Sequence, residues 1–498
     1  VDFHSLKVFY KPVQIQKFLK KQHRMTFQYQ VLANQLAHRI YQDELKPHQK
    51  LISLRDFARQ QGISLSTAKS CYELLEARGL IYVKPKSGYF VVARTPSSPI
   101  PDSPDFLSLP RHVSNLELHN QIQEAALQSH LVPLGSIQLT PHFIPVEGLR
   151  RSIQRALKNC QPQDFLYCNK QGHEQLRKAL SDHWREDGIY IAPEDIFITN
   201  GCMPALSLVI QKLTEVGDSI LIPTPTYNGH LQLLASLKRQ IVEIPADHRG
   251  IDLERLESLM QQGLAKVCLM TANYQNPLGY CFSNTEKQKI AELSAKYQCF
   301  IIEDDIFGEC GYSSERPLPI RYWDREGYVI WCGSVSKSLS SAYRVGWFCL
   351  TTKLEHLKLE LLVSNIGVNT PLQLGLADFI YSRAYREHLE QLRPNLMRQV
   401  EEYRSCILRA FEGIPIALSQ PEGGYALWIQ LPKSVDSLAL YYTAQAQGIT
   451  VVPGHVFGED ERYRHFIRLN AGHELTADVR QAIMSLAEWS RQQMQTVS

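Results

Sequence analysis

At 498 residues the chain exceeds what one hydrophobic core usually serves, which predicts two or more domains. Its composition, 44% hydrophobic and 21% charged, is that of a soluble globular protein, and no apolar run is long enough to span a bilayer as a helix. The net charge of +3 hides a division: ten basic side chains oppose five acidic ones between Met25 and Arg94, residues 1–24 carry six against one, and the remainder is net acidic, so a polyanion-binding module is expected at one end.

Residues 1–24 lack an initiating methionine and read as upstream sequence or a mobile extension, with a basic DNA-binding arm as the weaker alternative. No secretory signal opens them. From Tyr29 the apolar positions Leu32, Leu36, Ile40 and Leu45 mark a helix ended by Lys46-Pro47. Ser53 caps a second helix with Leu54, Phe57 and Ala58 turned inward, closed by Gln61-Gly62. Ser64 to Ser66 cap a third, which carries Ala68, Cys71, Tyr72, Leu74 and Leu75 and stops at Arg78-Gly79. Two strands follow, Leu80–Val83 and Tyr89–Val92, joined by a turn at Pro85-Lys86-Ser87-Gly88. Three helices and a ribbon predict an α+β winged helix-turn-helix over residues 25–94, its third helix in the major groove and its basic wing beside the phosphates. The alternative, a small helical dimerisation domain, leaves the basic wing without a use.

Residues 95–113 are rich in Pro and Ser and read as a semi-extended linker. Asn115 to Leu127 is expected to be helical. Beyond Leu134, short apolar runs alternate with amphipathic helices, which predicts an α/β domain with a mostly parallel sheet over residues 114–498. The 11 cysteines are scattered and lack C-x-x-C spacing, and Cys268, Cys299, Cys332 and Cys349 lie inside apolar runs. That pattern fits reduced cytoplasmic thiols rather than disulfides or a zinc centre, and no metal site is expected.

Several short segments carry chemistry. In Gly333-Ser334-Val335-Ser336-Lys337, a lysine follows an apolar strand among small hydroxyl residues, with Arg344 seven positions on. A desolvated lysine keeps a neutral amine accessible near pH 7, and Ser334, Ser336 and Arg344 suit a phosphate. Ile198-Thr199-Asn200-Gly201-Cys202-Met203 reads as a strand end, a glycine turn and a helix start, whose free N–H groups attract anions. Pro225-Thr226-Tyr227 and Gln275-Asn276-Pro277-Leu278-Gly279 each close a strand, and Phe300–Asp305 is a buried strand ending in acids. Taken singly, each is more often a turn, an interface ring or a surface lysine. Their order along the chain outweighs that reading.

Leu51-Ile52-Ser53-Leu54-Arg55, Ser64-Leu65-Ser66-Thr67-Ala68 and Lys86-Ser87-Gly88-Tyr89-Phe90-Val91 resemble the GntR-type DNA-binding domain. The resemblance implies DNA contacts from Arg55, Ser64, Ser66, Thr67 and Lys69, with Lys84 and Lys86 on the wing. Ile52 stands where proline is usual, and Leu65 where an arginine often opens the recognition helix. The body resembles the α/β fold-type I (aspartate aminotransferase-like) pyridoxal 5'-phosphate (PLP) enzymes through the Ser-x-Ser-Lys-x6-Arg signature at 334–344, with large and small subdomains. That implies PLP held by Lys337 as a Schiff base and a phosphate cup at Gly201, Cys202 and Met203. Tyr227 then stacks on the ring, Asn276 reaches its oxygen, and Asp304 pairs with its nitrogen. Tyr167 is implied to reach the phosphate across a dimer interface, and Arg468 to grip an α-carboxylate. The tyrosine that the family places two or three residues after the aspartate is replaced here by Ile306 and Phe307. Head, linker and body together resemble a MocR-type transcriptional regulator. Such a protein is implied to be a bacterial cytoplasmic head-to-tail homodimer, each DNA head over the partner's large domain, that binds operator DNA and senses PLP or a small amino compound. The alternatives are an aminotransferase with a fused DNA-binding relic and a PLP-free scaffold.

Overall fold

The computed structural model describes residues 28–496 apart from 42–43, 47–48, 78–79, 85–86, 92–97, 114–115, 127, 129, 168 and 364–366. The extension at 1–24, the helix stop at Arg78-Gly79 and the wing-tip Lys86 therefore lie outside the described residues. The chain divides into two units, Val1–Arg94 and Thr95–Ser498.

The first unit contains helices α1 (Gln28–Tyr41), α2 (Leu54–Gln61) and α3 (Leu65–Ala77) and the antiparallel ribbon β1 (Ile81–Lys84) and β2 (Gly88–Val91). Local chemistry sets both ends of α2. Ser53 Oγ accepts from the Asp56 N–H at 3.2 Å, and Gly62, at φ 62°, turns its N–H back onto the carbonyls of Ala58 and Arg59. Leu45, expected to extend the apolar face of α1, lies four residues beyond its end and reaches the core from a loop. Tyr72 centres that core. Its ring lies 5.1 Å from those of Phe57 and Tyr89, and its hydroxyl donates to the Ile52 carbonyl at 3.0 Å.

The second unit is built on an eight-stranded sheet of β3 (Ile196–Thr199), β4 (Ser219–Thr224), β5 (Gln240–Asp247), β6 (Gly250–Ile251), β7 (Val267–Met270), β8 (Phe300–Asp304), β9 (Val329–Ser334) and β10 (Gly346–Cys349). Their order is β3-β10-β9-β8-β7-β4-β5-β6. Strands β9, β8, β7, β4 and β5 are parallel; β10 runs antiparallel between β9 and β3, and β6 antiparallel to β5. Every residue of β3, β7 and β9 is buried, as expected of strands covered on both faces, which is why each carries three or four apolar residues in succession rather than alternating. A second, antiparallel sheet has the order β11 (Ala417–Leu418), β12 (Ala426–Gln430), β14 (Phe466–Asn470) and β13 (Val452–Pro453), and forms the small subdomain. No described helix is long and apolar enough to cross a membrane, and the described cysteines are free thiols.

Residues 98–113 form no helix and are fastened to both sheets. The Pro99 carbonyl accepts from Leu418 N–H at 2.9 Å and Asp102 N–H donates to Gln430, both in the small subdomain. Ser103 then donates to the Ala246 carbonyl at 2.7 Å, and Arg111 pairs with Ile241 through two backbone hydrogen bonds, both on β5. Between them, the Arg462 guanidinium lies 3.8 Å above the Phe106 ring and 3.0 Å from Glu243, and Arg111 reaches Asp460 at 2.5 Å.

Candidate functional site

In open α/β sheets ligands bind beyond the carboxyl ends of the parallel strands, where several chain reversals meet. Here β4, β7, β8 and β9 deliver Tyr227, Asn276, Asp304 and Lys337 to that edge. Asp304, the last residue of β8, is buried and surrounded by donors. His230 Nε2 lies 2.8 Å from Oδ2, while the Cys202 thiol at 3.2 Å and the Ile306 N–H at 3.2 Å meet Oδ1. Burial, and then the Asp304 charge, push the Cys202 thiol well above its usual range, so it stays protonated and donates. Helix α4 (Cys202–Leu213) presents the thiol from its first residue. Helix α5 (Asn228–Ser236) presents His230, whose ring also meets Tyr227 edge-on at 5.4 Å. Gly229 makes room for the Tyr227 ring, because a Cβ there would collide with it.

Lys337 is half-buried, and its Nζ donates to the Ile137 carbonyl at 2.6 Å. Burial, and next the charge of Arg468, push its pKa down to about 8. Arg468, in the middle of β14, is 3% exposed; its Nη2 donates to the Gly135 carbonyl at 2.7 Å, whereas Nε and Nη1 have no hydrogen-bond partner among the described residues. Burial lowers its pKa to about 10. Both carbonyls belong to a segment bound along β14 by Asn470 N–H to Leu134 O at 2.7 Å and Thr140 N–H to Gly472 O at 2.8 Å. These main-chain groups, and His230, were not found from sequence. A carbonyl has no side-chain signature, and a lone histidine on an apolar helix face usually signals only packing.

Around the glycine turn, Gly201 (φ 99°) precedes α4 and the Arg344 guanidinium lies against it, with Nη2 donating to Asn200 O at 2.7 Å. A Cβ on Gly201 would sit 2.7 Å from Arg344 Nη2, in a backbone region where side chains are strained. Gly201→Ala is therefore expected to destabilise the body by about 1–3 kcal/mol and to weaken anion binding, as read by thermal unfolding with and without inorganic phosphate. Met203 is half-buried in the same first turn. The Ser334 hydroxyl donates to Val345 O at 2.7 Å and lies 2.8 Å from Ser336 Oγ, so its proton is committed within the loop. Tyr167 stands apart, 90% exposed on the surface of the chain. In the first unit Arg55, Ser64, Ser66, Lys69 and Lys84 are exposed and Thr67 half-buried, and Lys69 pairs with Glu73 at 3.4 Å.

These residues fit PLP. The Arg344 guanidinium lies against the Gly201 turn at the start of α4, and Lys337, its pKa lowered by burial, shares the site with an under-satisfied arginine. At the position of the family tyrosine the structure has Phe307, buried and edge-on to Tyr425 at 5.5 Å, which supplies no hydroxyl.

Residues 138–486 match the family Aminotransferase class I and II, and residues 28–91 match the bacterial regulatory proteins of the gntR family. The chain is 31% identical to the uncharacterized HTH-type transcriptional regulator YdcR of Escherichia coli (strain K12) over 467 residues, 92% of this chain and 98% of that one. It is 30% identical to YjiR of the same organism, described in the same words, over 464 residues with the same coverage. Among solved structures it resembles the multiple substrate aminotransferase of Thermococcus profundus, with a TM-score of 0.68 and 25% identity over 77% of this chain and 97% of that one. The chain belongs to the MocR-type family, in which a GntR winged helix-turn-helix is joined to a fold-type I body of aminotransferase class I and II.

Proposed function

We propose that the protein is a transcriptional regulator whose winged helix, spanning 25–94, binds DNA and whose body, 114–498, holds PLP at Lys337 and responds to a small amino compound bearing a carboxylate. PLP, when bound, supplies an aldehyde carbon that captures primary amines and a ring that withdraws electrons. The observation that carries the reading is Arg468, a buried guanidinium with two donors unpartnered among the described residues, close enough to Lys337 that its charge helps lower that lysine's pKa to about 8. Arg468 binds the carboxylate in forked geometry, and Lys337 loses and regains a proton at Nζ near physiological pH. Asp304, oriented by His230 and Cys202, offers its carboxylate to the ring nitrogen. Gly201, Cys202, Met203, Ser336 and Arg344 hold the phosphate, and Tyr227 and Asn276 position the ring. In this reading the protein works as a homodimer, Tyr167 completes the partner's phosphate site, and the ligand alters the affinity of the heads for DNA.

Borohydride reduction of the PLP-treated protein is expected to leave a phosphopyridoxyl mass on Lys337 and nowhere else. The pH profile fixes the sign. The neutral amine gains population as pH rises through about 8, so labelling climbs there and then levels off. An ordinary lysine keeps climbing to about 10.4. Label on another lysine, or none, overturns the proposal. The enzyme reading rests on the same Lys337, Asp304 and Arg468. Phe307 counts against it, because no hydroxyl joins Asn276 there, and a multiple-turnover assay of amino transfer separates the two.

A further inference from the structure

Helix α3 opens with an apolar side chain that its own domain does not bury. Leu65 is 51% exposed, although Ala68, one turn further on, is fully enclosed. The polar groups around Leu65 are already engaged with one another. Ser64 Oγ accepts the Thr67 N–H at 3.1 Å and lies 2.8 Å from both Ser66 Oγ and Thr67 Oγ1. This turn is thus fixed by its own cap, and Leu65 projects from it as a side chain with neither donor nor acceptor.

We infer that Leu65 is a specificity-determining residue that reads the C5-methyl group of a thymine in the major groove. The inference rests on the DNA-binding reading of the head. DNA is the occupant that the surroundings favour: the segment from Met25 to Arg94 carries twice as many basic as acidic side chains, and Arg55, Lys69 and Lys84 are exposed on the same small domain. Within that groove the base edges present donors, acceptors and a single apolar group, the thymine methyl. An arginine at the first position of a recognition helix would pair with guanine O6 and N7. Leucine cannot, and pressing it against those acceptors would strip them of water without replacing the lost hydrogen bonds. Leu65 therefore rejects guanine and gains by covering a methyl.

The test uses the full chain and a randomised duplex library, since no binding sequence is assumed. Wild-type protein is expected to enrich a thymine at one position of each half-site. Leu65→Ala should lose preference at that position alone, and Leu65→Arg should shift it toward guanine. Replacing that thymine by deoxyuridine, which removes only the methyl, should weaken wild-type binding about fourfold, the worth of one buried methyl group, and leave Leu65→Ala unaffected. Unchanged thermal unfolding of Leu65→Ala confirms that the substitution acts at the interface. Identical base preferences in wild type and Leu65→Ala overturn the inference while leaving DNA binding intact. Failure of the wild type to enrich any sequence overturns the DNA-binding reading, and this inference falls with it.

Discussion

Arg468→Met is expected to abolish binding of carboxylate-bearing amines while leaving the PLP-free protein as stable as before, or more so. Among the described residues, two of the guanidinium's nitrogens are buried without hydrogen-bond partners and the third meets only the Gly135 carbonyl, so the chain itself leaves the cation poorly satisfied. Replacing such a buried charge by an apolar side chain of similar length is typically neutral, or stabilising by about 1–4 kcal/mol. Losing one partner of a desolvated, hydrogen-bonded charge pair weakens a complex by about 2–5 kcal/mol, on the order of 30- to 5,000-fold. Titrating PLP-loaded protein with an amino acid and with its decarboxylated amine separates the terms. The amino acid should lose its advantage and the amine should bind as before. Equal losses for both, or a lowered melting temperature without PLP, would show that Arg468 supports the fold rather than a ligand.

The largest stability effect is expected at Glu309. Its carboxylate lies 2.9 Å from Arg316 Nε and 3.0 Å from Arg393 Nη2, and its carbonyl accepts from Arg393 Nε at 3.1 Å. Arg316 also pairs with Asp305, which accepts in turn from Trp331 Nε1 and Asn273 Nδ2 at 2.8 Å each. Burial raises the Glu309 carboxyl, but Arg316, His183 and Arg393 outweigh it and hold the group far below the usual carboxylate range. Glu309→Ala leaves two buried guanidinium groups short of an anion, at a cost of about 3–5 kcal/mol in urea unfolding. The pH dependence has a definite sign. A depressed folded pKa stabilises the protein fully above the unfolded value, about 4.3 for glutamate, and that contribution disappears as pH falls below it. The gap between wild type and Glu309→Ala should hold steady from pH 7 to about 5 and shrink in more acid solution. A constant gap at pH 3 would sink the ionic account.

Much of the fold is local in origin and could be read from sequence on that account. Ser53 and Gly62 bound a helix through contacts within four residues, and the apolar runs of β7, β8 and β9 name themselves as buried strands. Leu45 shows the limit: spacing marks it as inward but cannot tell a helix from a loop that delivers the same side chain to the core. The antiparallel insertion of β10 between β3 and β9 was likewise invisible, because order in a sheet is settled by pairings across long loops. At the candidate site, Lys337, Asp304, Asn276 and Arg468 were found through motif and order. The partners that set their chemistry, His230 and the carbonyls of Gly135 and Ile137, come from segments 74 to 333 residues away in sequence. Ser334 shows the converse, since the same loop that made it a phosphate candidate also occupies its proton.

Ser103 lies four residues beyond Pro99, and an extended chain reaches at most about 3.3–3.6 Å per residue, so the stretch between them spans no more than about 14 Å. With Pro99 moored to Leu418 and Ser103 to Ala246, it acts as a gauge of the gap between the two sheets. Any displacement that widened the gap beyond that reach would have to break one mooring or pull on the other.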